Sequence, residues 1–332
     1  VSAHLVGRRP HVEPEALISA LVPPPHFAQA SFDTYVPDPD FPSQEAAVSE
    51  VRTFAKGVTR RGLGVLRRSS GGRGIYLDGG FGVGKTHLLA SLAREVGDRA
   101  VFGTFVEYTH LVGAMGFQAT RAALQEFALV CIDEFELDDP GDTVLMARLM
   151  RELADAGVAL AATSNTLPGS LGQGRFAADD FKREIQALSS VFEVITIDGP
   201  DYRGRGDLTF PAPATVDQVL TATAGDSGAC EDWAALMEDL THVHPSRYGA
   251  YVEGVEVLGL RGVEPLADQG QALRVVSLVD RLYDRDARIV ASGHSLGDIF
   301  SADMLRGGYR KKYYRALSRL LAMVAGEPDH RP

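Results

Sequence analysis

The feature that most restricts this chain is the run Gly79-Gly80-Phe81-Gly82-Val83-Gly84-Lys85-Thr86. It fits G-x-x-x-x-G-K-[ST] and lies between a short apolar strand pattern, Ile75 to Asp78, and an apolar helical pattern, Lys85–Val96. Glycines let a backbone curl until its N–H groups converge, and a helix that begins at Lys85 adds the positive end of its dipole. Such a loop is a cradle for phosphate oxygens. The eight loop residues, with His87 behind them, are the candidate nucleotide contacts. Lys85 would reach the β- and γ-phosphates of ATP, and the Thr86 hydroxyl would sit on Mg²⁺.

Around this loop the pattern alternates. Strand-like runs at Ala100–Phe105, Phe127–Asp133, Val158–Thr163 and Val191–Ile197 are separated by helical patterns such as Asp142–Ala156 and Asp179–Leu188. That rhythm predicts an α/β fold, a P-loop parallel sheet with helices on both faces. Ahead of it, Pro23-Pro24-Pro25 and Pro37-Asp38-Pro39-Asp40 predict an extended arm over residues 1–42, with Ser43 as the N-cap of a helix from Gln44 to about Ala55. The ATPase core is expected over 43–206. A mostly helical C-terminal region follows over 207–332, with strand-like runs at Val255–Leu260 and Arg288–Ala291 and a last helix from Ala302 to Val324. The helix–turn–strand stretch Leu149 to Thr166 has an echo in Leu278 to Ser295.

The second chemical signal is Leu129-Val130-Cys131-Ile132-Asp133-Glu134, an apolar strand that ends in two acids. Asp133 is the candidate for the Mg²⁺ shell, and Glu134 the candidate to orient and polarise a water. An acid beside the metal carboxylate points to hydrolysis rather than to a kinase-like transfer. The strand-like run Ala100–Phe105 lies between the two motifs, so the acids are expected on a strand not sequential with the loop strand. Strand Val158–Thr163 then puts Asn165 at the same sheet edge, as a candidate γ-phosphate sensor.

Composition bounds the rest. The net charge of −11 disfavours broad nucleic-acid binding and makes a protein partner the better expectation. No apolar run reaches the roughly 18–20 residues of a membrane span, so no direct membrane insertion is expected. Two cysteines are too few for a disulfide framework, and Val1 to Val6 does not read as a secretory signal, so a cytoplasmic protein is the reading.

The assembled residues resemble the AAA+ ATPases, and more narrowly the ZapE family of bacterial cell-division ATPases with their mitochondrial Afg-type relatives. The resemblance rests on Asp133-Glu134-Phe135 followed by Asp139, Ala162-Thr163-Ser164-Asn165, Asp201-Tyr202-Arg203, and Arg315 and Arg319 in the last helix; it runs from about Phe41 to Met323. It implies that Asn165 is the sensor-one residue, that Gln44 lies near the adenine, and that the nucleotide sits at a subunit boundary of a possible homo-oligomer. Arg315 and Arg319 become candidates to read the nucleotide, and the partner a division-site protein. One departure matters. The position of the expected trans-acting arginine is Ala178, which leaves Arg175 or Arg183 as substitutes and keeps a second reading open, a nucleotide-regulated adaptor with little hydrolysis.

Gly293-His294-Ser295-Leu296-Gly297 also matches the nucleophile elbow of α/β-hydrolases. The single histidine downstream of it is His330, close to the end of the chain, so Ser295 is expected to cap a helix instead.

Overall fold

A computed structural model of the chain describes residues 4–10, 14–61, 74–80, 82–135, 140–165, 190–199 and 209–325. It divides into two compact units, one built from Glu13–Gly204 and the other from Val1–Val12 with Arg205–Arg331.

The first unit is a five-stranded parallel sheet of β1 (Gly74–Gly79), β2 (Ala100–Thr104), β3 (Leu129–Asp133), β4 (Ala159–Ser164) and β5 (Phe192–Ile197), in the order β2-β3-β4-β1-β5. Period-two alternation sorts its side chains into two layers. Tyr76, Val130, Ile132, Leu160 and Ala162 pack with the helices α4 (Phe105–Met115) and α6 (Pro140–Asp155). Ile75, Leu77, Cys131, Ala161 and Ile195 face the opposite way, onto α2 (Pro42–Arg61) and α3 (Lys85–Val96). β3 and β4 are buried along their whole length, whereas the edge strand β5 exposes Glu193, Val194 and Thr196. Tight connections shape the layers. Thr104 ends β2 and at once caps α4 in a reciprocal box with Glu107, and Gly116, at φ 81, separates α4 from α5 (Phe117–Leu124).

The arm is less extended than its prolines suggest. It holds α1 (Pro14–Ser19) and a 3₁₀ turn at Pro25–Phe27, and the Leu21 carbonyl accepts from the Phe102 N–H at 2.9 Å. That bond covers a free donor of the edge strand β2. Leu21 lies so close over Gly103 that a Cβ there would meet its Cδ2 at 2.6 Å. Ser43 is no N-cap either. The helix begins one residue earlier, at Pro42, and the Ser43 hydroxyl accepts from the Asp198 N–H at 2.9 Å.

The second unit has a sheet of its own, in which β7 and β8 fall on the expected strand-like runs and β6 is added: β6 (Gly228–Asp232), β7 (Val257–Val263) and β8 (Arg288–Gly293), parallel and in that order. Its helices are α7 (Val216–Ala222), α8 (Trp233–His242), the four-residue α9 (Tyr248–Tyr251), α10 (Gln269–Tyr283), α11 (Ala302–Arg306) and α12 (Arg310–Ala325). The expected single last helix is thus two, because Gly307-Gly308 breaks the pattern and the Gly307 N–H closes α11 on Met304. Residues 4–10 belong here. Leu5 is fully buried in this core, which contributes about 2 kcal/mol, and its N–H donates to Glu231. Arg9 pairs with Asp239 at 2.8 Å, and Arg8 donates to the Tyr251 and Glu253 carbonyls.

α10 and α12 are joined by a charge cluster. Arg315 and Arg319, one turn apart on α12, converge on Asp280, Arg315 at 2.7 Å. Burial acts to raise the Asp280 carboxyl, but Arg315, Arg319 and Arg281 together hold it below its ordinary value. Breaking such a cluster leaves buried cations without their counter-charge, so Asp280→Asn is expected to cost about 3 kcal/mol near neutral pH. A depressed carboxyl contributes stability above its unfolded value, about pH 4, and loses it as pH falls through the folded one. Denaturant unfolding followed by the fluorescence of Trp233, the chain's one tryptophan and part of this core, checks both points. Wild type and Asp280→Asn should differ at pH 7 and converge on acidification.

Candidate functional site

In a parallel sheet the carboxyl ends of all strands lie along one edge. Because β4 is inserted between β1 and β3, whatever follows β4 falls between the glycine loop and the acids. The side chains show the result. Lys85, the first residue of α3, is largely buried, and its Nζ donates to the carbonyls of Gly79, at 2.9 Å, and Gly80, and to Asn165 Oδ1, at 2.9 Å. Next to it, the Thr86 hydroxyl lies 3.2 Å from each carboxylate oxygen of Asp133.

The loop backbone explains its glycines. Gly82 and Gly84 adopt φ of 74° and 80°, left-handed values that alternate with ordinary ones to aim successive N–H groups at one point. At Gly79 a Cβ would stand 2.4 Å from the Ile197 carbonyl oxygen. Gly84 is the N-cap of α3 and has no side chain to cap with, which leaves the first N–H groups of the helix to an anion. Val83 is buried, and its side chain fills the space beside Gly79 and Gly199.

Glu134 also has a left-handed backbone, with φ of 53°, a conformation that costs a non-glycine residue about 1–2 kcal/mol. Thr163 on β4 holds it there. The Thr163 hydroxyl accepts from the Glu134 N–H at 3.0 Å and donates to Asp133 Oδ1, while its carbonyl accepts from the Phe135 N–H at 2.7 Å. Thr163 is 2% exposed and fixes both acids. In the sequence Thr163 stands in the Ala162-Thr163-Ser164-Asn165 strand end with no role of its own, although a threonine two residues before a polar amide at the shared edge is the available signal.

Other expected residues take different places. Gln44 is buried, and both ends of its amide are engaged: Oε1 accepts from the Asp38 N–H at 2.8 Å and Nε2 donates to the Asp198 carbonyl at 2.9 Å. Its role in the structure is to brace the arm against the end of β5. His87 turns its ring to the arm, with Nε2 3.0 Å from both the Ser31 carbonyl and Thr34 Oγ1. Tyr35, which sequence reading did not single out, donates to the Val83 carbonyl at 2.8 Å, and burial pushes its hydroxyl up to about 12, so it remains a donor at neutral pH. Phe81, Arg175, Ala178 and Arg183 lie outside the described residues. Arg315 and Arg319 are engaged with Asp280, and the Arg319 guanidinium also lies over the Tyr283 ring. Ser295 caps the 3₁₀ turn Leu296–Asp298 and accepts from the Gly297 N–H at 3.1 Å, with an ordinary φ of −62° in place of the strained turn of a nucleophile elbow.

The chain is similar to several known proteins. A family profile described as AFG1-like ATPase matches residues 11–215 and 211–332. Cell division protein ZapE of Escherichia coli strain K12 is 28% identical over 302 residues, covering 77% of this chain and 79% of that protein. An uncharacterized protein of Schizosaccharomyces pombe is 27% identical over 216 residues, 59% of this chain and 45% of that one. Among solved structures, domain III of the Thermotoga maritima replication initiation protein DnaA is 22% identical, with 52% of this chain and 69% of that chain covered at a TM-score of 0.41. With the family profile spanning nearly the whole chain, and with its parallel sheet carrying the glycine loop on β1 and the paired acids on β3, the chain belongs to the AFG1-like ATPase family and is an ATPase.

Proposed function

We propose that the edge formed by β1, β3 and β4 hydrolyses ATP with Mg²⁺ and that turnover drives work on a protein partner. The observation that carries this reading is the pairing of Lys85 with Asn165 beside the pairing of Thr86 with Asp133, across three strands. The loop N–H groups and Lys85 bind the phosphates. Thr86 and Asp133 offer a hydroxyl and a carboxylate, hard oxygen donors of the kind Mg²⁺ takes, with the rest of its shell left to water and phosphate. When bound, the ion neutralises charge that develops on the phosphate oxygens. Glu134, aimed by its left-handed backbone, orients the attacking water and accepts its proton. Asn165 reports the γ-phosphate through the same amide that touches Lys85.

For the partner, the support is of another kind. The similarity to a relative named as a cell division protein favours a division-site protein, and the net charge of −11 weighs against nucleic acid. Among the described residues no helix is long and apolar enough to cross a membrane. We read the chain as cytoplasmic and able to act as a homo-oligomer, with Arg175 the candidate to complete a neighbour's site.

Three substitutions test the assignment by nucleotide titration and phosphate release. Lys85→Ala is expected to abolish ATP binding. Glu134→Gln should keep binding and lose turnover, and turnover equal to wild type would remove Glu134 from its role. Thr163→Val keeps the shape of the side chain while removing both hydroxyl bonds, and turnover is expected to drop on the order of ten-fold or more with binding retained. Specific activity that rises with protein concentration would support the oligomer.

A further inference from the structure

We propose that Tyr35, in the N-terminal arm, is a positioning residue that sets the shape of the phosphate loop and thereby the affinity for ATP. The inference rests on the reading of Gly79 to Thr86 as the phosphate site. Two contacts carry it. The Tyr35 hydroxyl donates to the Val83 carbonyl at 2.8 Å, and its ring lies so close to Gly84 that a Cβ there would stand 2.3 Å from Cε2. A peptide unit is planar and trans, so its C=O and N–H point in opposite directions. With the Val83 carbonyl turned to Tyr35, the Gly84 N–H is turned away from the arm. This peptide is one of the two between the left-handed glycines Gly82 and Gly84, and Gly84, without a Cβ, leaves it free to flip unless something holds its carbonyl.

The arm that presents Tyr35 is itself held firmly. Ser31 and Thr34 bond each other, with the Ser31 N–H donating to Thr34 Oγ1 at 2.9 Å, and both reach the His87 ring on the first turn of α3. The Tyr35 and His87 rings meet edge to face at 5.7 Å. A loop shaped in advance loses less freedom when ATP binds, so the tyrosine bond acts on affinity rather than on the hydrolytic step.

The test is Tyr35→Phe, which removes one hydroxyl and keeps the ring. A single buried hydrogen bond corresponds to about a five-fold change in a binding constant. The KM for ATP is expected to rise by about that factor, with kcat unchanged within about two-fold. Arg52→Ala, which loosens the arm at Asp33 and Phe32 without touching Val83, should leave KM in place. An unchanged KM in Tyr35→Phe, an equal rise in Arg52→Ala, or a fall in kcat alone would overturn the proposal. Retained ATP binding in Lys85→Ala would instead overturn the reading of the loop, so the two failures are distinguishable.

Discussion

The site depends on one topological constraint, the insertion of β4 between the loop strand β1 and the acidic strand β3. Residues at the end of β4 therefore reach both Lys85 and Asp133. Asn165 takes the ammonium on one side and Thr163 the carboxylate on the other. A parallel sheet makes this arrangement possible, because three consecutive strand ends open to the same edge without any chain crossing it.

That constraint also explains how the strain at Glu134 persists. A left-handed glutamate survives only where its surroundings over-determine it. Two backbone N–H groups, of Glu134 and Phe135, are taken by the hydroxyl and carbonyl of a single residue of the adjoining strand, and each such bond contributes about 1 kcal/mol. Their sum matches the cost of the conformation. The ring of Phe135 then enters an aromatic cluster with Tyr76, Phe105 and Phe192, which anchors the turn from the core side. The backbone of the acid is therefore fixed from the strand side and from the core side at once.

Most of the fold was legible in the sequence because buried parallel strands are continuous apolar runs that end in special residues, and the five strands of the first unit lie within a residue or two of the expected runs. The loop, the acids and Asn165 were legible for the same reason: chemistry at a strand end stands out against an apolar background. What escaped has no such contrast. β6 is Gly-Ala-Cys-Glu-Asp, with no β-branched or aromatic residue, and is a strand only because β7 pairs with it. Thr163 and Tyr35 act through single hydroxyls whose partners are far away in the chain. Gln44 was expected near the adenine by resemblance, and its amide bonds could not be foreseen, since Asp38 and Asp198 meet it only in the folded unit.

The echo between the two units shows one helix–strand geometry serving with a glycine loop and without one. After α6, the Gly157 and Val158 N–H groups bond the carbonyls of Ala154 and Leu153; after α10, Asp286 and Ala287 bond Tyr283 and Leu282 in the same way. Gly157 and Asp286 are both left-handed, at φ of 92° and 54°, as the closing turn of a helix requires. The repeat is therefore one backbone geometry written with two residue types. The difference lies at the other end of the unit. Between β1 and α3, Gly80 to Gly84 leave the helix N-terminus to an anion, whereas β6 runs into α8 without an intervening residue, and the Asp232 carboxylate itself accepts from the Ala235 N–H at 3.2 Å. In the second unit a side chain already occupies the position that a phosphate would take, and the strand–helix corner closes on itself.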